Sequence, residues 1–275
     1  MDVTQFYLQQ LGYLRISIPL YNGYLPDNCN MDGNKVRLSY YKNGLKNYSI
    51  RFAYSLQIGE IFMISTRDLS LLPAIKQLKL LAQSLAMLDA IIEPEWEFRY
   101  YSFNAHWGRE EAMASMRNGS GDAYFLLFSP AGAILKGFAH ESVMSPYQHN
   151  PPRVWPGVLE AVPKVFSEFL AEPAFTISDT TFCIWRTDSD RTWQRGQIEF
   201  PDAKDPDGSA DLSAVLDNKP ITYQQWAENY YGRPVSLSAI THIYQHHALS
   251  QKIVKLLSSE LSLSDVADDV KEIGY

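Results

Sequence analysis

Apolar residues along this chain follow three rhythms, and each predicts a different element. Residues 3–11 carry a short helical pattern closed by Gly12, a usual residue just past a helix end. Segments 13–20, 35–42, 48–56 and 60–66 are rich in Val, Ile, Tyr and Phe. Asn, Gly and Asp clusters part them, which predicts strands, with Gly44 turning the second into the third. The first 69 residues are therefore expected to form a small β-rich unit.

A helical period takes over at residue 70. Ser70 is a suitable N-cap, Pro73 is tolerated in the first turn, and Pro94 lies just past residue 92. Leu71, Leu78, Leu85 and Ile92 recur every seven residues, with Ala74, Leu81 and Leu88 between them. Leu80, Met87 and Ile91 add apolar character on the far side. A helix apolar on two sides is expected between packed layers, as a connecting helix over 70–93. The same stripe offers an alternative use, homodimerisation through residues 70–92.

From residue 95 the pattern predicts a larger domain reaching residue 275. Residues 95–103 alternate, with Trp96, Phe98 and Tyr100 on one face. Residues 109–118 are expected to be helical, with Gly119 closing that helix. Segments 123–128 and 133–139 are continuous apolar strands, joined by Ser129-Pro130-Ala131-Gly132 in a type I turn. A proline-rich loop over 146–156 precedes a helix over 158–170, which buries Val162, Val165, Phe166 and Phe169. Residues 181–187 and 192–200 predict a hairpin over Asp188-Ser189-Asp190. The last quarter is helical. Thr222 and Gln225 form a capping-box pattern, Gly232 and Pro234 end that helix, and Ser238, Ser250 and Ser264 are N-caps of three more. The expected fold class is α+β, with antiparallel sheets, a long central helix and a helical C-terminal region.

Composition narrows the partners. The chain has 275 residues, a formal net charge of −7 and 13% aromatic residues. Its basic residues bunch most between Arg37 and Arg51 and are well separated there, so nucleic acid is not an expected partner. A basic protein surface is favoured instead. Cys29 and Cys183 give neither a metal-ligand spacing nor a disulfide framework, and Cys183 sits in an apolar run that buries it. No basic leader followed by an apolar stretch opens the sequence, and residues 80–92 are too interrupted to span a bilayer. The expectation is a cytoplasmic protein without a membrane segment.

Chemistry-bearing residues concentrate between Trp96 and Ser142, where ten aromatic residues surround a Gly119-Ser120-Gly121-Asp122 turn. A phosphate loop opens a helix, whereas this turn is expected to close one, so it reads as a helix cap. His242 and His246 have helical metal spacing but lack the glutamate and third ligand of a zinc site, and read as an exposed pair. Asp202, Asp205, Asp207 and Asp211 fail the calcium-loop register around Gly208 and read as a solvated acidic turn. No metal and no cofactor is expected. His106, Trp107, Arg117, Asp122, His140 and Glu141 remain as candidate binding residues, converging at one edge of the sheet. No nucleophile elbow or catalytic cysteine signature accompanies them.

The runs Phe98-Arg-Tyr-Tyr-Ser-Phe-Asn, Met113 to Asp122, Lys136 to Ser142, Phe182 to Arg186 and Trp226 to Tyr231 are similar to a family of uncharacterised bacterial proteins, over about residues 95–275. That resemblance implies no activity. Pro163-x-x-Phe166-x-x-Phe169-Leu170 resembles a helix in immunity proteins of bacterial toxin systems. The leading expectation is a non-catalytic cytosolic protein-binding protein of the toxin-immunity type. The alternative is a small-molecule hydrolase with a site near His106, His140 and Glu141.

Overall fold

The computed structural model describes residues 63–275 in full and, within residues 1–62, the backbone of five strands. Contacts divide the chain into two units, Met1–Ile61 and Phe62–Tyr275. In the first, β1 (Val3–Tyr7) pairs antiparallel with β2 (Arg15–Pro19). A second sheet orders β3 (Asn28–Asp32), β4 (Lys35–Lys42) and β5 (Leu45–Phe52). Residues 3–7 are thus strand, where a helix was expected. Val3, Thr4, Phe6 and Tyr7 are β-branched or aromatic and favour a paired ribbon. Lys42 pairs with Leu45, and the expected turn residue Gly44 lies outside the described residues. The expected strand ends at 53–56 and 60–62 lie outside the described residues.

The larger unit is α+β. Its sheet is fully antiparallel in the order β11-β10-β9-β8-β7-β6. The strands are β6 (Tyr101–Gly108), β7 (Glu111–Arg117), β8 (Ala123–Ser129), β9 (Gly132–Phe138), β10 (Phe182–Thr187) and β11 (Gln194–Arg195). Tyr124, Leu126 and Phe128 enter the core on one face, while Phe125 and Leu127 enter a second core on the other. Burial on both faces explains why β8 and β9 read as unbroken apolar runs. On the first face lie α1 (Ile75–Ile92) and residues of α4 (Pro220–Tyr231), α5 (Leu237–Tyr244), α6 (Gln251–Leu257) and α7 (Ala267–Ile273). The second face is covered by residues from Met144 to Phe175, including α2 (Ser167–Ala171), together with Ile198 and Phe200.

Three expectations fail here. The helix expected over 109–118 is strand β7. Its Ala-Met-Ala-Ser-Met run favours helix, but Ala112, Ala114 and Met116 fill one core and Met113 the other, and that alternation decides. The helix expected over 158–170 shrinks to a 3-10 turn at Lys164–Phe166 and α2, with Val165 exposed rather than buried. The strand expected over 192–200 pairs only at Gln194 and Arg195. Alternation over 95–103 is also displaced: Trp96–Phe98 is an exposed 3-10 turn, and β6 starts at Tyr101.

Every residue of α1 from Leu81 to Ile92 is buried. Its two apolar faces are consumed within the chain, so this stretch offers no free stripe to a second copy. The polar residues inside it each hold a named partner. Gln83 donates to the Ile273 and Gly274 carbonyls at 2.9 Å each, and the Ser84 hydroxyl donates to the Ile243 carbonyl at 3.1 Å. Asp89 accepts the backbone N–H groups of Tyr100 and Tyr101 at 2.9 and 2.7 Å and the Tyr223 hydroxyl at 2.9 Å. One carboxylate therefore joins the helix, the start of β6 and α4.

Caps at the termini are partly as expected. Gly232 is left-handed after α4, and the Ser250 hydroxyl caps α6. Ser236 rather than Ser238 caps α5, α1 starts after Ala74 rather than Ser70, and Pro220 sits in the first turn of α4, ahead of the expected capping box. The acidic turn is not solvated as a whole. Asp207 is buried, accepting from Ser209 and Thr66, and the Thr181 hydroxyl donates to its carbonyl at 2.7 Å.

Burial pushes the Asp89 carboxyl from 3.8 up to about 7, against the hydrogen bonds that favour its charge. The folded chain holds this proton more tightly than the unfolded chain. The stability that follows is full below pH 3.8 and is lost as pH rises towards about 7. Relative to Asp89→Asn, the natural chain should therefore lose stability across that range, measured by urea unfolding; a pH-independent difference contradicts this. Asp89→Ala orphans two buried donors, each costing about 1–3 kcal/mol, and one part-buried donor, so it should lower stability by at least ~2 kcal/mol.

Candidate functional site

The sheet separates the candidate residues into two groups. Arg117, Asp122, His140 and Glu141 gather where β7 ends, β8 begins and β9 ends, since Arg117 pairs with Ala123 and Ala123 with Phe138. His106 and Trp107 lie where β6 ends and β7 begins, with Gly108 opposite Glu111. At about 3.3 Å per residue, a strand of this length keeps the two ends on the order of 20 Å apart. His106 therefore does not meet His140 and Glu141. The shared acid–base site expected of a hydrolase is not formed by these three residues.

At the first end, the Gly119–Asp122 segment is a strand-to-strand turn and not a helix cap. The Asn118 carboxamide oxygen accepts the Ser120 and Asp122 N–H groups at 2.8 and 3.1 Å, and its nitrogen donates to the Asp122 carboxylate at 2.7 Å. Gly121 adopts a φ of 111°, and its bare Cα lets the His140 ring pack against the turn. The other Asp122 oxygen accepts from the His140 backbone at 2.8 Å and lies 2.7 Å from Nδ1 of its ring. Glu141 is 3.7 Å from Nε2 and almost wholly exposed. Arg117 stands apart from this pair, with its guanidinium 4.4 Å from the Trp96 ring centre. The Asp122–His140 pair latches the β7–β8 turn onto the end of β9.

At the second end, a bulge re-aims the chain. Asn104 pairs with Met113 and Gly108 with Glu111, which leaves residues 105–107 opposite Ala112. Ala105 packs on the first core, while the Trp107 ring stacks on Phe175 of the second, with centroids 5.8 Å apart. Trp107 remains 42% exposed. It borders a recess of about 150 Å³ with Phe169 and Phe175 in its wall and Glu111, Glu168 and Glu172 around it. Beneath Phe175, the buried Lys136 ammonium donates to the Phe175 carbonyl at 2.8 Å and fixes that wall. Burial lowers the Lys136 pKa to about 8. His106 is exposed beside this recess in sequence but does not line it.

Glu111, Glu168, Glu172 and Phe175 were not among the residues the sequence singled out. Glu168 and Glu172 have helical i, i+4 spacing, but nothing in the sequence joins them to Trp107, some sixty positions away. His242 and His246 are not a free pair. Nε2 of His242 lies 3.0 Å from the Ala248 carbonyl, and Nε2 of His246 lies 2.7 Å from that of Leu80. Among the described residues no cluster of His, Cys, Asp or Glu is arranged to hold a metal ion. Cys183 is buried, which pushes its thiol up to about 12.

The latch sets a pH window. The hydrogen bond to Asp122 raises His140 above 6.5, so its contribution to stability is full below 6.5 and lost as pH rises through the raised value. Burial acts upward on Asp122, but the His140 and Asn118 hydrogen bonds outweigh it and hold the carboxyl below 3.8. That contribution is full above 3.8 and lost as pH falls through the lowered value. NMR titration of the His140 ring should give a midpoint above 6.5 that drops in Asp122→Asn. An unchanged midpoint would remove the latch.

Comparison with protein families, with curated proteins and with solved structures finds no match to this chain.

Proposed function

We propose that the 62–275 unit is a cytoplasmic, non-catalytic protein-binding module whose partner presents a basic surface, as expected of an immunity-type protein. The observation that carries this reading is the acidic aromatic recess: an exposed Trp107 stacked on Phe175 and surrounded by Glu111, Glu168 and Glu172. Exposed tryptophan is a common anchor of protein interfaces. Three carboxylates around it match the net charge of −7 and favour a cationic partner. The recess is smaller than the roughly 300–1,000 Å³ of ordinary small-molecule sites, which argues for one inserted side chain over a whole substrate. Among the described residues no helix is long and apolar enough to cross a membrane.

The reading is tested by capturing partners from the native host, purifying the tightest binder and measuring its affinity for charge-reversed variants. Reversing Glu111, Glu168 and Glu172 to Lys should weaken binding by about tenfold or more, since rim pairs contribute roughly 0.2–1 kcal/mol each. Reversing the exposed Asp202, Glu260 and Glu272 to Lys alters net charge equally and should cost far less. Equal losses from the two triples would assign the binding to net charge alone and remove the recess from the account.

A further inference from the structure

We propose that the Trp107 recess is an anchor slot for a single arginine side chain of that partner, with the guanidinium against the indole and the carboxylates of Glu111, Glu168 and Glu172 as its counter-charges. This rests on the reading of the protein as a binder of a basic partner. Three features select arginine over other occupants. The space, about 150 Å³, suits one long side chain. The Trp107 ring is stacked on Phe175 with an interplanar angle of 27°, so a flat aromatic surface is already held in place from behind. A guanidinium is planar, stays charged and sheds water more readily than an ammonium, so it stacks on indole and takes carboxylates with its fork of donors. A lysine ammonium matches the charge but not the plane.

The wall is built independently of any occupant. Lys136 pins the Phe175 carbonyl, and Phe169 packs on the Phe175 ring with centroids 4.7 Å apart. Lys136 is the ammonium beneath this wall, and it opposes a cation there. It is buried behind Phe175, while Glu168 is exposed and Glu111 and Glu172 are half-buried, so three carboxylates face one ammonium.

The test uses the full chain and three blocked tripeptides, acetyl-Gly-X-Gly-amide with X as arginine, lysine or citrulline. The readout is the Trp107 indole N–H signal in NMR, assigned by its loss in Trp107→Phe. The arginine peptide should shift that signal saturably. It should bind about two- to fivefold more tightly than the lysine peptide, the size of an exposed cation–π contact, and the citrulline peptide should not compete. Glu168→Gln should weaken the arginine peptide by a similar factor, whereas Glu260→Gln should leave it unchanged. In the two Trp107 variants, which lack the indole signal, the readout is the backbone amide shifts of Glu111, Glu168 and Phe175: Trp107→Phe keeps an aromatic plane and should retain part of the response, while Trp107→Ala should lose it with the rest of the spectrum intact.

Equal binding of the arginine and lysine peptides, or no shift of the Trp107 signal at saturation, overturns the slot. A partner that still responds to reversal of the rim glutamates would then keep the basic-partner reading while the arginine anchor fails. A saturable arginine response without any rim-sensitive partner would do the opposite, keeping the slot as a site for a guanidinium and removing the protein-binding reading.

Discussion

The Asp89 carboxylate is the interaction on which the larger unit depends. It sits in the buried run of α1 and accepts two successive backbone N–H groups at the start of β6, together with the Tyr223 hydroxyl from α4. A buried carboxylate is costly unless its oxygens are satisfied, so the site tolerates few alternative arrangements. Tyr100 and Tyr101 are placed by it. Through them it places Trp226, whose ring lies 4.7 Å from Tyr100 and 5.0 Å from Tyr101. Gln83 and Ser84 act likewise, tying the same helix to the end of α7 and the end of α5. Where hydrophobic burial draws the helices onto the sheet without direction, these polar contacts fix which turn of α1 meets which element.

With β6 fixed at its start, its bulge determines what its end presents. The two surplus positions opposite Ala112 let Ala105 pack on one core while Trp107 reaches the other. The acidic recess is thus assembled from the far end of β6, the first residue of β7, and the α2 region on the opposite face. The Asp122–His140 pair occupies the other end of the sheet. There Nδ1 of the ring lies on a carboxylate that also holds the turn, and this arrangement is a clasp between hairpins.

Much of this fold was legible in the sequence where local and tertiary preferences agree. The continuous apolar runs of β8 and β9, the core helix ending at Ile92, the turn at Pro130-Ala131, the cap at Ser250 and the stop at Gly232 all follow from side-chain type and spacing. Where the two preferences conflict, tertiary packing wins. Residues 111–117 favour helix by composition and become strand, with Ala112, Ala114 and Met116 buried in one core and Met113 in the other. Asp89 is visible in the sequence only as an interruption of an apolar stretch; its role is invisible because its partners lie 11, 12 and 134 positions away. Arg117, Asp122, His140 and Glu141 are placed at one end of the sheet by the β7–β8 and β8–β9 pairings. His106 and Trp107 are not, since their position follows from β6 starting at Tyr101 rather than at residue 95, which carries them to the far end of the strand.

The central claim is that α1, the sheet and α4 are held as one body through the Asp89 carboxylate. A double-mutant cycle between Asp89→Asn and Tyr223→Phe, followed by urea unfolding at about pH 9, where Asp89, raised to about 7, is ionised, tests it most directly. Hydrogen bonds to a charged group contribute about 1.5–3 kcal/mol, so the two substitutions should be strongly non-additive, with a coupling of at least ~1 kcal/mol. Additive losses, with no coupling beyond a few tenths of a kcal/mol, would show that the carboxylate and the tyrosine act independently and would contradict the account.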